Sequence, residues 1–458
     1  MKPRSLIIVF GVAVILFIAV MIARARLTAA PGELVQEAIR NSLNHSEAGT
    51  STTASIGTTW EDIVNLTNNA AESLSQQFNG FQIGAGPSNR IHAAFRDNRL
   101  NAKIEEVYYK RYNGTAWEPE KKISNIAALV SLGALEKLNV GGPAIAVSPS
   151  SGDVHIVWSF SVVNSLMESK VIKPRKIYYQ RSTDAGKTFT APVLLGEGGD
   201  NFGGATICYG NKGTQRIVNV ISSNTGNREL YAYYSSDNGA HFSVSPIATY
   251  PSAKEAPVCA ADRNGSVYVV WQDDRDGVVV NGLKRRDVHF ARSSDGGKTW
   301  GPAKNLTNTP GAGSSDSSIT LDLNGKLHVT YHDDKNDGNN SWEIYYAQSP
   351  DKGATWTATQ KLTATTPTTG VNIDVPSIAV SRDGKVHIVW QDQRNGYFQI
   401  FHKRGDGSTW EPETAISGDI RGSLGPSIDA SNIDNSVHVL WSGAGTGNAR
   451  DVFYRKSK

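Results

Sequence analysis

Four times the chain spells Ser-x-Asp-x-Gly-x-x-aromatic, at Ser182/Asp184/Gly186/Phe189, Ser235/Asp237/Gly239/Phe242, Ser293/Asp295/Gly297/Trp300 and Ser349/Asp351/Gly353/Trp356. Shortened copies stand at Asn113, Gly114 and Trp117 and at Asp406, Gly407 and Trp410. The chemistry of the pattern is a tight hairpin. Ser and Asp side chains bond the turn backbone, Gly takes the positive-φ position, and the aromatic ring anchors the outgoing strand. A pattern this constrained, recurring at near-equal intervals, makes the chain an array of one repeated unit.

The clearest copy of the whole unit runs through 376–380, a turn at Asp383 and Gly384, then 386–390, a third run at 399–402 and a last one from Trp410 to 416–417. Short alternating or apolar runs separated by turn residues read as one antiparallel four-stranded blade. The aromatics that open the fourth strands are Trp60, Trp117, Phe189, Phe242, Trp300, Trp356 and Trp410. The first of them, at 60–67, has no strands before it, and the last unit, 425–456, has three strands and no fourth. If the N-terminal strand completes the last blade, no sheet edge stays open. The expectation is an all-β fold, a seven-bladed β-propeller of four-stranded antiparallel blades over 59–458.

Ahead of the repeats lies an uncharged run at 5–23, with Lys2 and Arg4 before it and Arg24 and Arg26 after it. It is long enough to cross a bilayer and longer than a signal-peptide core of roughly 7–15 residues. A transmembrane signal anchor is therefore expected at 1–26, in preference to a cleaved signal, and a stalk with a short helix at 27–58. The expected location is membrane-anchored with the propeller outside the cytoplasm, in the periplasm or at the cell surface. Asn-x-Ser/Thr sequences occur at Asn44, Asn65, Asn113, Asn264, Asn305 and Asn339.

A net charge of +3 argues neither for nor against nucleic acid, but no basic motif with interleaved aromatics supports such a partner. Cysteine spacing offers no zinc site and no cofactor is expected. Cys208 and Cys259 occupy the same place in adjacent units; two buried thiols are the expected state, a bridge the less expected one.

What repeats serves the scaffold, because an active site is a single place. His92, His155, His328, His387 and His438 share one second-strand position around the ring, so packing is expected of them and metal ligation is not. What departs from the repeat points to function. Additions at 125–142, 160–176, 277–286 and 365–374 fall mainly on the face opposite the Ser-x-Asp hairpins. On that face the second strands end in Asp273-Asp274-Arg275, Asp333-Asp334-Lys335 and Asp392-Gln393-Arg394, echoed by Asp97-Asn98-Arg99, while Glu255 and Asp374 precede two first strands.

Asp273, Asp333, Asp392, Glu255 and Asp374 are thus the catalytic candidates, suited to general acid/base work on sugars. Asp274, Arg275, Asp334, Trp342, Arg394 and Tyr397 are the candidate ligand-binding residues, Trp342 being the one tryptophan off the repeat positions. The competing reading of the acidic loops is that each Asp caps its own loop or pairs with its own Arg. Lys170, Lys173, Arg175, Lys176, Arg285 and Arg286 would suit an anionic ligand.

The Ser-x-Asp-x-Gly-x-x-aromatic element resembles the Asp-box, or bacterial neuraminidase repeat, of sialidase-type β-propellers, and the likeness covers nearly everything from Trp60 onward. It implies the propeller fold, although the best-known sialidases of this kind have six blades. Their chemistry needs three arginines on the substrate carboxylate, a Tyr–Glu nucleophile pair and an acid/base Asp. The Phe/Tyr-Arg-Ile-Pro segment usual in the family is absent, Phe95-Arg96-Asp97 being the nearest string, and no arginine triad carries over. Since no catalytic signature stands apart from the repeat, the favoured function is a module that binds a glycan or protein ligand. The alternative is a glycoside hydrolase, sialidase-like or another carbohydrate-active enzyme, that uses the carboxylates of the loop face.

Overall fold

A computed structural model describes residues 58–69, 71–74, 81–100, 104–134, 136–166, 171–197, 204–223, 229–280, 282–309, 311–335, 342–363, 371–431, 433–445 and 449–458. The apolar run 5–23, the helix and most of the stalk expected before residue 58, and Lys170 lie outside these residues. Among the described residues no helix is long and apolar enough to cross a membrane.

The described architecture is all-β, built from four-stranded antiparallel sheets as a propeller requires. We number the sheets 1 to 7 in chain order. Sheet 4 is typical, with strands Lys254–Ala261, Val267–Asp273, Asp287–Ser293 and Lys304–Asn305 hydrogen-bonded in that order. Sheet 5 runs Ser314–Leu321, Leu327–Asp333, Glu343–Ser349 and Gln360–Lys361; sheet 6 runs Ile373–Val380, Val386–Asp392, Gln399–Gly405 and Thr414–Ala415. In sheet 1 the first strand is split into Ser73–Leu74 and Ile83–Ala85, both against Ile91–Asp97. Each first strand packs on the first strand of the next sheet, and Leu424–Ala430 of sheet 7 returns to Ile83–Ala85 of sheet 1. There the backbone amides of Gln82 and Ala85 donate to Ser427 Oγ (2.9 Å) and Asp429 Oδ2 (2.7 Å).

Sheet 7 takes three strands from the end of the chain and its fourth, Val64–Asn65, from the beginning, with Val64 opposite Tyr454 and Asn65 opposite Phe453. This is the closure that the unpaired segments of the sequence imply.

The Ser-x-Asp hairpins behave as their chemistry dictates. Ser182 Oγ donates to Asp184 Oδ1 (2.7 Å) and accepts from Gly186 N (2.8 Å), while Asp184 takes the amide and hydroxyl of Thr188. Gly186 has φ 82°. It could not carry a side chain in any case, since a Cβ would fall 1.8 Å from the Tyr109 hydroxyl. The hairpin aromatic crosses to the preceding sheet. Phe189 meets Tyr109 edge-on at 4.8 Å, Phe242 meets Tyr179, Trp356 meets Phe290 and Trp410 meets Tyr346. The same contact spans the closure, with Trp60 on His402 and Trp117 on Tyr454, both at 5.0 Å. Each such pair is worth about 0.5–1.5 kcal/mol beyond its buried area.

The repeated histidines hold the other side of those rings. His92, His155, His328 and His438 are buried, and each Nδ1 bonds a third-strand hydroxyl, on Tyr109, Tyr179, Tyr346 and Tyr454. His387 bonds His402 instead, at 3.0 Å. Their packing role is as expected, and among the described residues no group of His, Cys, Asp and Glu is placed to hold a metal.

A second repeat is not evident from the sequence. The acid that opens a third strand grips the end of the fourth. Asp287 accepts from Asn305 Nδ2 (2.8 Å) and Thr307 Oγ1 (2.8 Å); Asp451 accepts from Asn65 Nδ2 (2.9 Å) and Thr67 Oγ1 (2.7 Å). Asn65 and Asn305 also cap their own turns through Oδ1. These two glycosylation-type sequences are structural clamps.

Cys208 and Cys259 form a disulfide with Cα atoms 5.7 Å apart, which corrects the expectation of two buried thiols. The bridge joins the first strands of sheets 3 and 4. Sheet 3 departs most from the repeat, its second strand Gln215–Ser223 carrying neither the histidine nor the terminal Asp. A closed loop of this size, with a separation of 51 residues, restricts the unfolded chain by about 4 kcal/mol. Replacing both cysteines by alanine should lower the unfolding free energy by roughly that amount or somewhat less, as read by denaturant titration under non-reducing conditions.

Candidate functional site

The acidic loop ends divide into two groups. Asp273, Asp333 and Asp392 are fully buried. Asp273 accepts from Tyr250 OH (2.9 Å), Trp271 Nε1 (3.0 Å) and Arg275 N (3.0 Å). Asp333 accepts from Ser314 Oγ (2.8 Å) and Lys335 N (2.7 Å), and Asp392 from Trp390 Nε1 (3.1 Å) and three nitrogens of Arg394. Asp97 makes the same turn with Arg99 N. These three carboxylates are thus committed to donors of their own loops, the arrangement of the local-capping reading. Their basic neighbours are committed as well. Arg394 also pairs with Glu413 and lies over Phe401, while Arg275 lies over Tyr250 and donates to His289 Nε2.

Asp274 and Asp334 tie loops together. Asp274 accepts from Ala253 N (2.9 Å), and Asp334 accepts from Gly313 N (2.7 Å) and Arg285 (3.1 Å). Tyr397 carries the Arg421 guanidinium at 5.6 Å, and its neighbour Phe398 is in the core, unavailable for stacking. Trp342 is half-buried over Gly313 and meets His332 edge-on at 4.4 Å.

Glu255 and Asp374 are different, and the backbone says why. The first strands of sheets 4, 5 and 6 each carry a β-bulge against their second strand, between Glu255 and Val258, Ser315 and Ser318, and Asp374 and Ser377, and sheets 2 and 7 share the irregularity between Gly141 and Ala144 and between Leu424 and Ser427. At the bulges of sheets 4, 5 and 6 a non-glycine residue is left-handed: Ala256 (φ 46°), Asp316 (φ 49°) and Val375 (φ 53°). Such a conformation costs on the order of 1–3 kcal/mol each, and bulges of this kind concentrate beside functional sites. Asp316, on the middle of three neighbouring sheets, lies within electrostatic reach of both Glu255 and Asp374. Asp316 is the member that sequence reasoning missed. It stands one residue after the position aligned with Glu255 and Asp374, so only a first-strand alignment that allowed for the bulge would have exposed it.

Glu255 Oε2 pairs with Arg286 (2.8 Å) and accepts from Gln272 Nε2 (3.2 Å). Asp316, 11% exposed, lies 3.5 Å from His332 Nδ1. Burial, and then the charge of Asp374, push the Asp316 carboxyl well above the usual carboxylate range against the pull of Arg286. Burial raises Asp374 to about 7, opposed by Gln391 and reinforced by Asp392. Asp374 Oδ1 and Gln391 Nε2, side by side across the strand pair, both lack a hydrogen-bond partner of normal geometry.

The same end of sheets 7, 1 and 2 carries guanidiniums. Arg450 donates to Gly422 O (2.6 Å) and Ser442 O (3.1 Å), Arg96 to Val140 O (3.0 Å) and Arg175 to Ser159 Oγ (2.9 Å); burial brings Arg450 down to about 10. Both halves of this face mix signs, since Arg96 is paired with Glu105 and Arg286 with Glu255. The additions shape its rim. The long hairpin Val154–Asn164 and Val171–Ser182 rises from sheet 2, and a two-stranded ribbon, Val279–Val280 with Leu283–Lys284, rises from sheet 4 and delivers Arg286 to Glu255.

No protein-family model matches the chain, and no curated protein matches it. Among solved structures, it is similar to a protein of unknown function from Dyadobacter fermentans, with 15% identity over 70% of this chain and 95% of that one and a TM-score of 0.46. It is similar to the intramolecular trans-sialidase of Ruminococcus gnavus at 12% identity over 74% and 94% of the two chains, TM-score 0.47. It is also similar to an α-L-arabinanase of Penicillium chrysogenum at 19% identity over 69% and 93%, TM-score 0.43. Likenesses this distant assign no activity and place no residue in this chain.

A folded-state value near 7 for Asp374, against an ordinary 3.8, means that the neutral form favours folding. This contribution is complete below about pH 4 and is lost as pH rises through 7. Asp374→Asn, neutral at every pH, should therefore melt about 1–3 °C higher than the parent at pH 8 and show no gain at pH 4, by calorimetry.

Proposed function

We propose that the chain is a seven-bladed propeller glycoside hydrolase whose acid/base residues are Asp374 and Glu255, with Asp316 between them. The observation that carries the reading is Asp374. It is a carboxyl raised to about 7 with an unpartnered oxygen, and it faces Asp316, which in turn faces Glu255 and its partner Arg286. Glycosidic cleavage uses two carboxyls in different roles. One protonates the leaving oxygen, and the other acts on the sugar or on a water. Asp374 takes the first role and Glu255 the second. Trp342, on the rim of sheet 5, is the candidate for stacking on a sugar ring, with Tyr397 available only if Arg421 leaves its face, and Arg175 and Arg450 favour an acidic glycan.

The disulfide supports a location in an oxidising compartment. With the apolar run 5–23, it supports a protein tethered to the membrane with the ring outside the cytoplasm. The second reading, a module that binds a glycan without cleaving it, is favoured by one contact: Arg286 already occupies Glu255.

The test is a panel of chromogenic glycosides, neutral and acidic, together with a glycan-binding panel, on the full chain in detergent. Turnover of at least one glycoside is expected, and Asp374→Asn should reduce kcat about 10²–10⁴-fold. Asp392→Asn should act chiefly on stability. Binding without turnover supports the second reading; turnover untouched by Asp374→Asn overturns the acid/base roles of Asp374 and Glu255.

A further inference from the structure

We propose that His332 is a positioning residue for the acidic cluster: it is the hydrogen-bond acceptor for the protonated carboxyl of Asp316 and so keeps the middle carboxyl of the three uncharged. The inference rests on reading that cluster as the site, and names the residue that sets its protonation.

The geometry comes from two strands of sheet 5. Asp316 stands at the bulge of the first strand, with its left-handed backbone and its amide directed to Gln272 Oε1 (3.3 Å) of sheet 4. His332 stands on the second strand opposite Ser315, where sheets 4 and 6 have Gln272 and Gln391. Its Nδ1 lies 3.5 Å from Asp316 Oδ2, at the limit of hydrogen-bond reach, and makes no hydrogen bond of normal geometry. The imidazole meets Trp342 edge-on at 4.4 Å, and Trp342 and the Arg285 guanidinium, which is paired with Asp334, both lie over Gly313. The ring is therefore fixed with one nitrogen aimed at the carboxyl.

The charges decide which atom holds the proton. Asp316 faces Glu255 and Arg286 from sheet 4, Asp374 from sheet 6 and His332 on its own sheet. Burial lowers His332 to about 3, so the imidazole is neutral at any ordinary pH and cannot supply a cation. Burial and two neighbouring carboxyls raise Asp316. A neutral acid facing a neutral imidazole leaves one bond available, O–H donating to Nδ1, with the imidazole proton on Nε2. With the acceptor in place Asp316 stays neutral, and Asp374 is the group that titrates near neutrality. Without it Asp316 ionises more readily, and its negative charge raises Asp374 further.

The experiment compares the full-length protein with His332→Phe, His332→Gln and Asp316→Asn. Glutamine keeps an oxygen that can accept the bond; phenylalanine fills the space without one. The alkaline limb of the pH–activity profile should move up by about 0.5–1 pH unit in His332→Phe and return close to the parent in His332→Gln. The protonation of Asp316 is read independently of any turnover from the infrared carbonyl stretch of protonated carboxyls at pH 6. That band should lose a component in Asp316→Asn and shift in His332→Phe. A band unchanged by Asp316→Asn, or shifted equally by both His332 substitutions, overturns the proposal. If the infrared result holds and no glycoside is cleaved, the hydrolase reading falls and the Asp316–His332 pair stands.

Discussion

The edge-on contact between a hairpin aromatic and the third-strand ring of the sheet before it governs this molecule. A sheet in such a ring has little reason to choose its neighbour, because backbone hydrogen bonds are satisfied within each sheet and apolar faces are interchangeable. The crossing ring supplies direction. It leaves one sheet and meets Tyr109, Tyr179, Phe290, Tyr346, Tyr454 or His402 of the sheet before, and several of these third-strand rings leave no room for a side chain on the hairpin glycines. The recurring geometry of the turn and the order of the sheets are therefore one constraint, enforced at both ends by the histidine–tyrosine bond behind the ring.

The scaffold was legible because its rules are local. Turn chemistry, alternation and the aromatic anchor act over about ten residues, and so the sheets, the role of the histidines and the closure by 64–65 could be read from a string. The clamp from Asp287 or Asp451 to a distant Asn-x-Thr joins segments far apart in the chain, and nothing local distinguishes it from a glycosylation sequence. The Cys208–Cys259 bridge depended on the spacing between two strands that only packing fixes.

The site was legible in part for the same reason. Looking for departures from the repeat pointed to the face, and to Glu255 and Asp374, on which the proposed site is built. It also promoted Asp273, Asp333 and Asp392, whose asymmetry among the sheets looked functional and is a capping habit shared with Asp97. The decisive feature was backbone strain at Ala256, Asp316 and Val375. Neither alanine nor valine announces a left-handed conformation, so no composition rule could have found the bulges, and Asp316 was hidden behind its register.

The closing strand brings the two ends of the described chain side by side, with Lys458 N donating to Thr59 O at 2.8 Å and Glu61 N to Lys456 O. The covalent order of the sheets is consequently an accident of where the polymer is cut. A permuted polypeptide, with residue 458 joined to residue 59 by a short link and new ends opened in an exposed hairpin, would face the same ring of neighbours. What the natural cut decides is which seam must be found last: sheet 7, assembled from two distant stretches, is the one whose completion waits for the whole chain.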